Sequence, residues 1–316
     1  MNRVLLKHRT HSQSSRLTPR DALYRKWLDQ YTFLELAKDV GSGDLTTNAC
    51  FSKNKKAKSF ILAKEPGILA GVQEIAYFLK RFSSLKWKFL KQDGAPLKSR
   101  DVILNMAGPV YELMKLERII LNLLGRMSGV ATVTRRFVEK ARKKNKKVLI
   151  TPTRKTLWGL LDKRACVVGG GGTHRLSLDN AILIKHNHLK AGSQPLSQIL
   201  KSVLANRYIK KAQFVEIEVR NGKDAAHAAK VFAQAKKHGF SLPCAVMLDN
   251  MSPNEVAKTV RFLKKEGLSQ NILIEASGRI SEKNIALYAK TGIDILSVGA
   301  LTHSAPMLDL SMRILT

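Results

Sequence analysis

The rhythm of hydrophobic and polar positions changes near the middle of the chain. From residue 148 onward, short apolar runs rich in β-branched residues recur: VLITPT from Val148, AILIKHN from Ala181, FVEIEV from Phe214, CAVMLDN from Cys244, NILIEAS from Asn271 and DILSVGA from Asp294. Their starts lie 33, 33, 30, 27 and 23 residues apart. Between most of them the pattern has helical period, as at residues 223–238 and 253–266; the latter opens on Ser252 as N-cap with Pro253 at the first helical position. Continuous apolar strands alternating with helices at this spacing predict β/α units around a parallel sheet. No GxGxxG follows the first strand, which disfavours a dinucleotide-binding fold. A closed barrel is the better expectation, and its stretch of about 180 residues is short for eight full units, so the barrel is expected to be shortened or incomplete.

The first half follows another pattern. Residues 57–70 (AKSFILAKEPGILA) predict two strands around a Pro-Gly turn, residues 71–82 a helix, and residues 87–90 and 102–110 further strands. This is an α+β layer. Residues 111–127 then predict an amphipathic helix leading into the barrel. The expected organisation is a flexible tail over 1–20, an N-terminal domain over 21–117 and a barrel over 118–302.

Composition adds bounds. With 316 residues, 44% hydrophobic and 25% charged, the chain can bury two ordinary cores. No apolar run approaches the roughly 18–20 residues of a membrane span, so a soluble protein is expected. The first twenty residues are rich in Arg, Lys, His and Ser and hold no acid before Asp21. Val4-Leu5-Leu6 is too short for a secretory signal. A transit peptide fits that composition, but a solvated, frayed tail is the expectation. Cys50, Cys166 and Cys244 are scattered and odd in number, which argues against disulfides or zinc and for a reducing cytoplasm.

The 55 basic and 24 acidic residues leave a net charge of +31. Such a charge fits a nucleic-acid partner, anionic substrates or a lysine-rich proteome. The runs at residues 53–58 and 142–147 read as solvated faces. Aromatic content is 6% and no basic segment is interleaved with aromatics, so a nucleic-acid partner is not expected.

The informative charges stand at strand ends, where barrel chemistry sits. The first strand delivers Arg154 and Lys155, and the second Lys185 with Asn187 and His188 beyond. The third ends in Glu216, Glu218 and Arg220, the fourth in Asp249 and Asn250, the fifth in Glu275, Ser277 and Gly278, and the sixth in Gly299 and Ala300. Charges inside apolar strands are costly to bury unpaired, and their recurrence at successive strand ends marks a site. Arg154, Lys155 and Lys185, with His174 and Arg175, suit a ligand carrying several carboxylates or phosphates. Glu218 and Asp249 could hold Mg²⁺, hydrogen-bond sugar hydroxyls or neutralise the basic cluster. The four glycines at residues 169–172 are expensive to order and predict close backbone approach to a ligand, or a hinge. Ala276-Ser277-Gly278 and Val298-Gly299-Ala300 have the position of late barrel loops that donate amides to phosphate. No metal site is expected at His186 and His188, and no covalent nucleophile is apparent.

At these residues the chain resembles the quinolinate phosphoribosyltransferase family. The resemblance is carried by Gly43-Asp44-Leu45-Thr46-Thr47, residues 117–132 (ERIILNLLGRMSGVAT), Thr153-Arg154-Lys155-Thr156, residues 169–175 (GGGGTHR), 183–188 (LIKHNH), 246–251 (VMLDNM), 275–278 (EASG) and 297–304 (SVGALTHS). It implies an N-terminal α/β sandwich domain, rejoined by residues 303–316, and a shortened TIM-like α/β barrel. It further implies a homodimer, or a hexamer, in which subunits complete each other's sites. The implied substrates are quinolinate and phosphoribosyl pyrophosphate, with Mg²⁺ as cofactor and nicotinate mononucleotide, CO₂ and pyrophosphate as products. Matching motifs imply that Arg118, Arg154, Lys155, His174, Arg175 and Lys185 contact the dicarboxylate and phosphates. Glu218 and Asp249 would serve the ribose and Mg²⁺, and Ser277, Gly278, Gly299 and Ala300 the 5-phosphate. Lys155, Glu218 and Asp249 are the expected catalytic groups. Departures from the family pattern are Trp158-Gly159-Leu160-Leu161 after the Arg-Lys-Thr, His186 in place of an acid, and Arg279 after Ser277-Gly278. A related family member with another acceptor, and a basic nucleic-acid-binding protein on an enzyme fold, are the competing readings; the latter predicts affinity falling steeply with salt.

Overall fold

The computed structural model describes residues 3–52 and 54–315. Met1 and Asn2 of the expected tail, Lys53 of the first charge run and Thr316 lie outside the described residues. The chain divides into two compact units. One comprises Met1–Gln13, Arg136–Thr156 and Gly171–His303, the other Ser14–Arg135, Leu157–Gly170 and Ser304–Thr316.

The first unit is a six-stranded parallel α/β barrel whose strands are Leu149–Pro152, Ile182–Ile184, Val215–Val219, Cys244–Asp249, Leu273–Ser277 and Ile295–Val298. Consecutive strands pair from the second to the sixth, and the sixth pairs with the first, Ile295 opposite Leu149. That return of the last strand to the first curls the sheet. Helices such as Gly222–Lys237 and Pro253–Lys265 connect the strands. The second of these begins as expected: Ser252 accepts the Glu255 amide at 3.3 Å while the Glu255 carboxylate accepts the Ser252 amide at 2.7 Å, a reciprocal cap.

Alternate residues of a strand share a face, and this stacks the barrel interior in layers. Leu149, Ala245, Leu273 and Ile295 form an apolar floor. Two residues further along the same strands come Thr151, Met247, Glu275 and Ser297, with the Thr151 and Ser297 hydroxyls 2.7 Å apart. Two further still stand Thr153, Asp249, Ser277 and Gly299, which line an open cavity. Three of these four strands therefore go from apolar to polar to cavity-lining along one side, and the fourth keeps an apolar Met247 in the middle layer.

The floor is closed by the chain's own beginning. Where a frayed tail was expected, Arg3–His11 is an α-helix with Leu6, Lys7, Thr10 and His11 buried. Leu6 joins the floor layer, and Arg3 grips Asp294 through two guanidinium nitrogens and donates to the Ser269 carbonyl at 2.6 Å. The spacing of those four buried positions gives the helix one inward face. Basic composition alone suggested solvation, and the periodicity is what decides.

The glycine run also differs from expectation. A Cβ on Gly172 would stand 2.3 Å from the His11 carbonyl oxygen, and one on Gly169 would stand 2.6 Å from the Ala131 carbonyl oxygen. These glycines admit close packing of protein backbone rather than of a ligand, and none of the four lines the cavity.

The second unit contains a four-stranded antiparallel sheet in the order Leu310–Leu315, Lys56–Ala63, Val102–Pro109, Lys86–Phe89. Helices Ala22–Val40 and Val72–Phe82 accompany it. The division between units falls at residue 135, within the helix Val110–Arg142, rather than near 118. Ser128 and Thr132 of that helix accept the Ala70 and Ile68 amides at 3.0 and 2.8 Å, which ties its middle to the sheet unit. Residues 157–170 belong there too, because Asp162 makes a buried, two-point ion pair with Arg126 at 2.9 Å for each contact. Remaining Asp162 capacity accepts the Leu157 and Trp158 amides, where the four-residue stretch that departs from the family pattern begins.

Candidate active site

The strand ends of the barrel open into a cavity of about 750 Å³. Arg154 and Lys155 leave the first strand as exposed side chains, with the Lys155 carbonyl held by the Thr302 hydroxyl at 2.7 Å. Lys185 stands exposed at the end of the second. His174 and Arg175 enter from the preceding loop and are buried. Arg175 donates to the Ala181 carbonyl at 3.2 Å, and burial together with the Arg154 charge holds its guanidinium below its usual range. Glu218 and Asp249 end the neighbouring third and fourth strands, half-buried. Ser277, Gly278, Gly299 and Ala300 complete the rim. The eleven expected barrel residues, Arg154, Lys155, His174, Arg175, Lys185, Glu218, Asp249, Ser277, Gly278, Gly299 and Ala300, thus line one cavity.

Arg118 is elsewhere in the chain. It belongs to the sheet unit, exposed, with its guanidinium 3.9 Å from Glu117, and lines a separate hollow with Tyr31, Glu35, Lys38, Asp39, Ile119 and Asn122. His186 does not line the barrel cavity either; its amide faces Glu218 Oε1 at 3.5 Å. Arg279 does line it and adds a further exposed cation.

Backbone strain is concentrated here. His174, Asn250 and Arg279 all have φ between +51° and +56°, a left-handed region that costs a non-glycine residue on the order of 1–3 kcal/mol. Asn250 is held by its amide to the Ser277 carbonyl at 2.8 Å, and its side chain donates to Asp249 at 2.8 Å. Gly278 must be glycine: its φ is +88° and a Cβ would meet Asn250 Oδ1 at 2.3 Å. Arg220 Nε approaches Asp249 Oδ2 at 3.5 Å from outside the cavity. The two acids are consequently aimed by their neighbours before any ligand arrives.

Two strand-end acids behave differently. Glu216 and Glu275 are completely buried one layer below the cavity, where their carboxylates meet His174 Nε2 at 3.2 and 3.4 Å. Burial and the Glu275 charge raise the Glu216 carboxyl above its ordinary range; burial also penalises Glu275, but the His174 and His11 contacts outweigh that and hold it low. His11, which completes this cluster, was outside any sequence-based expectation. So were Asn250 as a strained rim residue and His303, which lines the cavity. Counting back by twos from Ser277 to Glu275, and from Glu218 to Glu216, is a signal that identifies the lower layer. No local signal identifies His11.

The arrangement suits a large polyanion bearing a sugar: several cations, two oxygen-donor carboxylates on neighbouring strands, and small residues on the late loops. Residues 44–128 match the quinolinate phosphoribosyl transferase N-terminal domain and residues 130–313 its C-terminal domain. The chain is 37% identical over 281 residues to the probable nicotinate-nucleotide pyrophosphorylase [carboxylating] of Methanothermobacter thermautotrophicus, covering 87% of this chain and 95% of that one. It is 34% identical over 295 residues to the protein of the same name from Bacillus subtilis, covering 92% and 94%. The solved structure of NadC from Streptococcus pyogenes superposes with a TM-score of 0.80 at 32% identity, covering 92% of this chain and 97% of that one. Sequence, fold and cavity agree, and the chain belongs to the quinolinate phosphoribosyltransferase family.

Proposed function

We propose that the barrel cavity is where this enzyme transfers the phosphoribosyl group of phosphoribosyl pyrophosphate to quinolinate, with loss of the 2-carboxylate, giving nicotinate mononucleotide, CO₂ and pyrophosphate. The observation that carries the assignment is the meeting in one cavity of Arg154, Lys155, Arg175 and Lys185 with Glu218 and Asp249. A volume of about 750 Å³ accommodates both substrates together, and holding them in line removes much of the entropic cost of their encounter.

The pyridine nitrogen attacks the anomeric carbon as pyrophosphate departs. Positive charge builds on the ribose, and the adjacent Glu218 and Asp249 carboxylates stabilise it electrostatically. Arg154, Lys155, Arg175 and Lys185 bind the two substrate carboxylates and the departing pyrophosphate, where Arg forks orient and the lysines follow the moving charge. Ring alkylation leaves nitrogen cationic, so when the C2–carboxylate bond breaks and CO₂ departs the electron pair left on C2 is stabilised by the adjacent positive nitrogen, and C2 then takes up a proton from solvent. The Ser277-Gly278 and Gly299-Ala300 loops hold the 5-phosphate. No protein nucleophile takes part.

Glu218 and Asp249 fit Mg²⁺ by donor type, being two neighbouring half-buried carboxylates that face an open cavity. Mg²⁺ favours such sites, where substrate phosphates and waters complete the shell. Bound there, it would neutralise the pyrophosphate. A nicotinate acceptor, with a single carboxylate, needs fewer cations than this cavity supplies. We assign the enzyme to the cytoplasm on Cys50, Cys166 and Cys244, which are free thiols, as a reducing compartment leaves them. Among the described residues no helix is long and apolar enough to cross a membrane.

Purified protein supplied with quinolinate, phosphoribosyl pyrophosphate and Mg²⁺ is expected to release nicotinate mononucleotide and CO₂ in equal amounts. Lys155→Ala should lower kcat/KM by at least ~10²-fold, as loss of a charge-stabilising donor does elsewhere. Product from nicotinate but not quinolinate would replace the acceptor, and affinity for DNA without turnover would overturn the enzymatic reading.

A further inference from the structure

Beneath the cavity the barrel interior holds four buried groups: His11, His174, Glu216 and Glu275, whose polar atoms lie within 4.8 Å of one another. His174 lines the cavity above, and the other three do not. His11 comes from the N-terminal helix, which precedes both domain matches.

His11 holds His174 in two ways. Its carbonyl accepts the Thr173 amide at 2.6 Å and the His174 amide at 3.2 Å. Those bonds secure a histidine whose φ of +51° is otherwise unfavourable. Its ring lies edge-on to the His174 ring with centroids 4.8 Å apart, and 4.5 Å from Phe214. His11 Nε2 approaches Glu275 Oε2 at 3.4 Å, while Glu275 Oε1 is 3.4 Å from His174 Nε2. Glu275 therefore bridges the two imidazoles.

Proton placement follows from the neighbours. The Thr10 hydroxyl donates to the Leu6 carbonyl at 2.8 Å, so the proton shared with His11 Nδ1 at 2.7 Å comes from His11. His11 Nε2 is turned toward the Glu275 carboxylate. His174 Nδ1 accepts the Arg175 amide at 2.6 Å, which leaves the His174 proton on Nε2, directed at Glu216 and Glu275. Burial lowers the His174 pKa, and Glu275 and Glu216 together raise it to about 9. A second ring proton would nevertheless break the Arg175 bond, and we assign the neutral form. Burial and the Glu275 charge raise the Glu216 carboxyl while the two imidazoles hold Glu275 low, so the cluster avoids two neighbouring buried carboxylates.

We propose that the N-terminal segment is a working part of the active site, with His11 a positioning residue that fixes the His174 ring beneath the substrate through its carbonyl and through Glu275. The proposal rests on the active-site reading above. His11 touches no substrate; it sets the tautomer and orientation of the residue that does. Its backbone contact also accounts for Gly172, where any side chain would push the His11 carbonyl away.

The test compares wild type with His11→Gln and His11→Ala, with quinolinate affinity measured by calorimetry alongside kinetics. Expected for His11→Ala is a loss of at least tenfold in kcat/KM for quinolinate, with the KM for phosphoribosyl pyrophosphate unchanged within twofold. Glu275 is faced by His11 from the N-terminal helix, His174 from the glycine loop and Glu216 from the third strand, one strand removed across the sheet. Removing the His11 contacts that help hold the Glu275 carboxyl low makes Glu275 easier to protonate, so the acidic limb of the pH profile should move toward neutrality. His11→Gln keeps a donor without the imidazole; it should retain the fold, recover part of kcat/KM and still show the moved limb, and it carries the test if the alanine variant is insoluble. Variants that melt at lower temperature but keep wild-type constants and pH profile would overturn the proposal and leave the helix a purely structural plug. A wild-type protein without turnover or quinolinate binding would instead overturn the active-site reading beneath it.

Discussion

Glu74 is completely buried, and only one of its oxygens has a hydrogen-bond partner, the Tyr24 hydroxyl at 2.8 Å. Arg164 stands 3.6 Å away and is shared with Asp93. Burial, then the Asp93 charge, push the Glu74 carboxyl up to about 7 from 4.5, against the pull of Arg164 and Tyr24. Between those values the folded state binds more proton than the unfolded one, so this group lowers stability as pH rises from 4.5 to 7 and costs roughly 3 kcal/mol above that window. Glu74→Gln cannot ionise. Its unfolding free energy relative to wild type should rise between pH 5 and pH 8, and denaturant titrations at the two pH values will measure it. A difference independent of pH would mean that Glu74 is already ionised at pH 5. Nothing in the sequence around Glu74 marks it, since a helix position occupied by Glu is ordinarily solvated; only packing against Tyr24, Asp93 and Arg164 makes it unusual.

The helix Val110–Arg142 carries the same lesson at the level of an element. Apolar periodicity predicts it over 111–127, and the helix runs on through Ser128 and Gly129 to Arg142. In the fold both residues have partners across the helix face: the Ser128 hydroxyl accepts the Ala70 amide, and a Cβ on Gly129 would stand 1.9 Å from the Pro306 carbonyl oxygen. Gly129→Ala would ordinarily strengthen an exposed helix by about 1 kcal/mol. Here the obstructing atom is backbone, and the variant is expected to lose about 3 kcal/mol through overpacking, read as a lower denaturant midpoint. The barrel strands were far more legible. They begin at residues 149, 182, 215, 244, 273 and 295, within two residues of their predicted starts, because buried parallel strands are continuous apolar runs. The N-terminal helix was not, since a nine-residue segment has marginal stability alone and forms only where Leu6 and His11 find the barrel interior.

At the scale of the whole molecule, Arg118 is the expected substrate-binding residue that does not line the barrel cavity. It sits exposed in the sheet unit. We propose that in a homodimer it serves the partner subunit's site. Arg118→Ala and Lys155→Ala, each inactive as a homodimer, should then regain activity when co-assembled, because a mixed dimer contains one site with both side chains intact. Up to about a quarter of wild-type activity is expected from random pairing, since half of the dimers are mixed and each has one of two sites. Mixtures no more active than their parents would confine each site to a single chain. The net charge of +31 belongs to this scale as well. Exposed Arg154, Lys155, Lys185 and Arg279 surround the cavity, but the runs near 54–58 and 142–147 are mostly exposed and line no part of it, consistent with solvated faces that steer anions only weakly through screening salt.

The sequence by itself determined the alternation of strand and helix, the shortened barrel and the strand-end charges, since each follows from local periodicity and from the cost of burying charge. It also carried the family resemblance. Only the tertiary structure decided that the basic N-terminus enters the barrel floor, that the glycine run packs on protein backbone, and that the chain divides at residue 135 rather than near 118. These depend on contacts between segments far apart in the chain, such as His11 with Glu275 and Gly129 with Pro306, whose energies no local pattern of residues records.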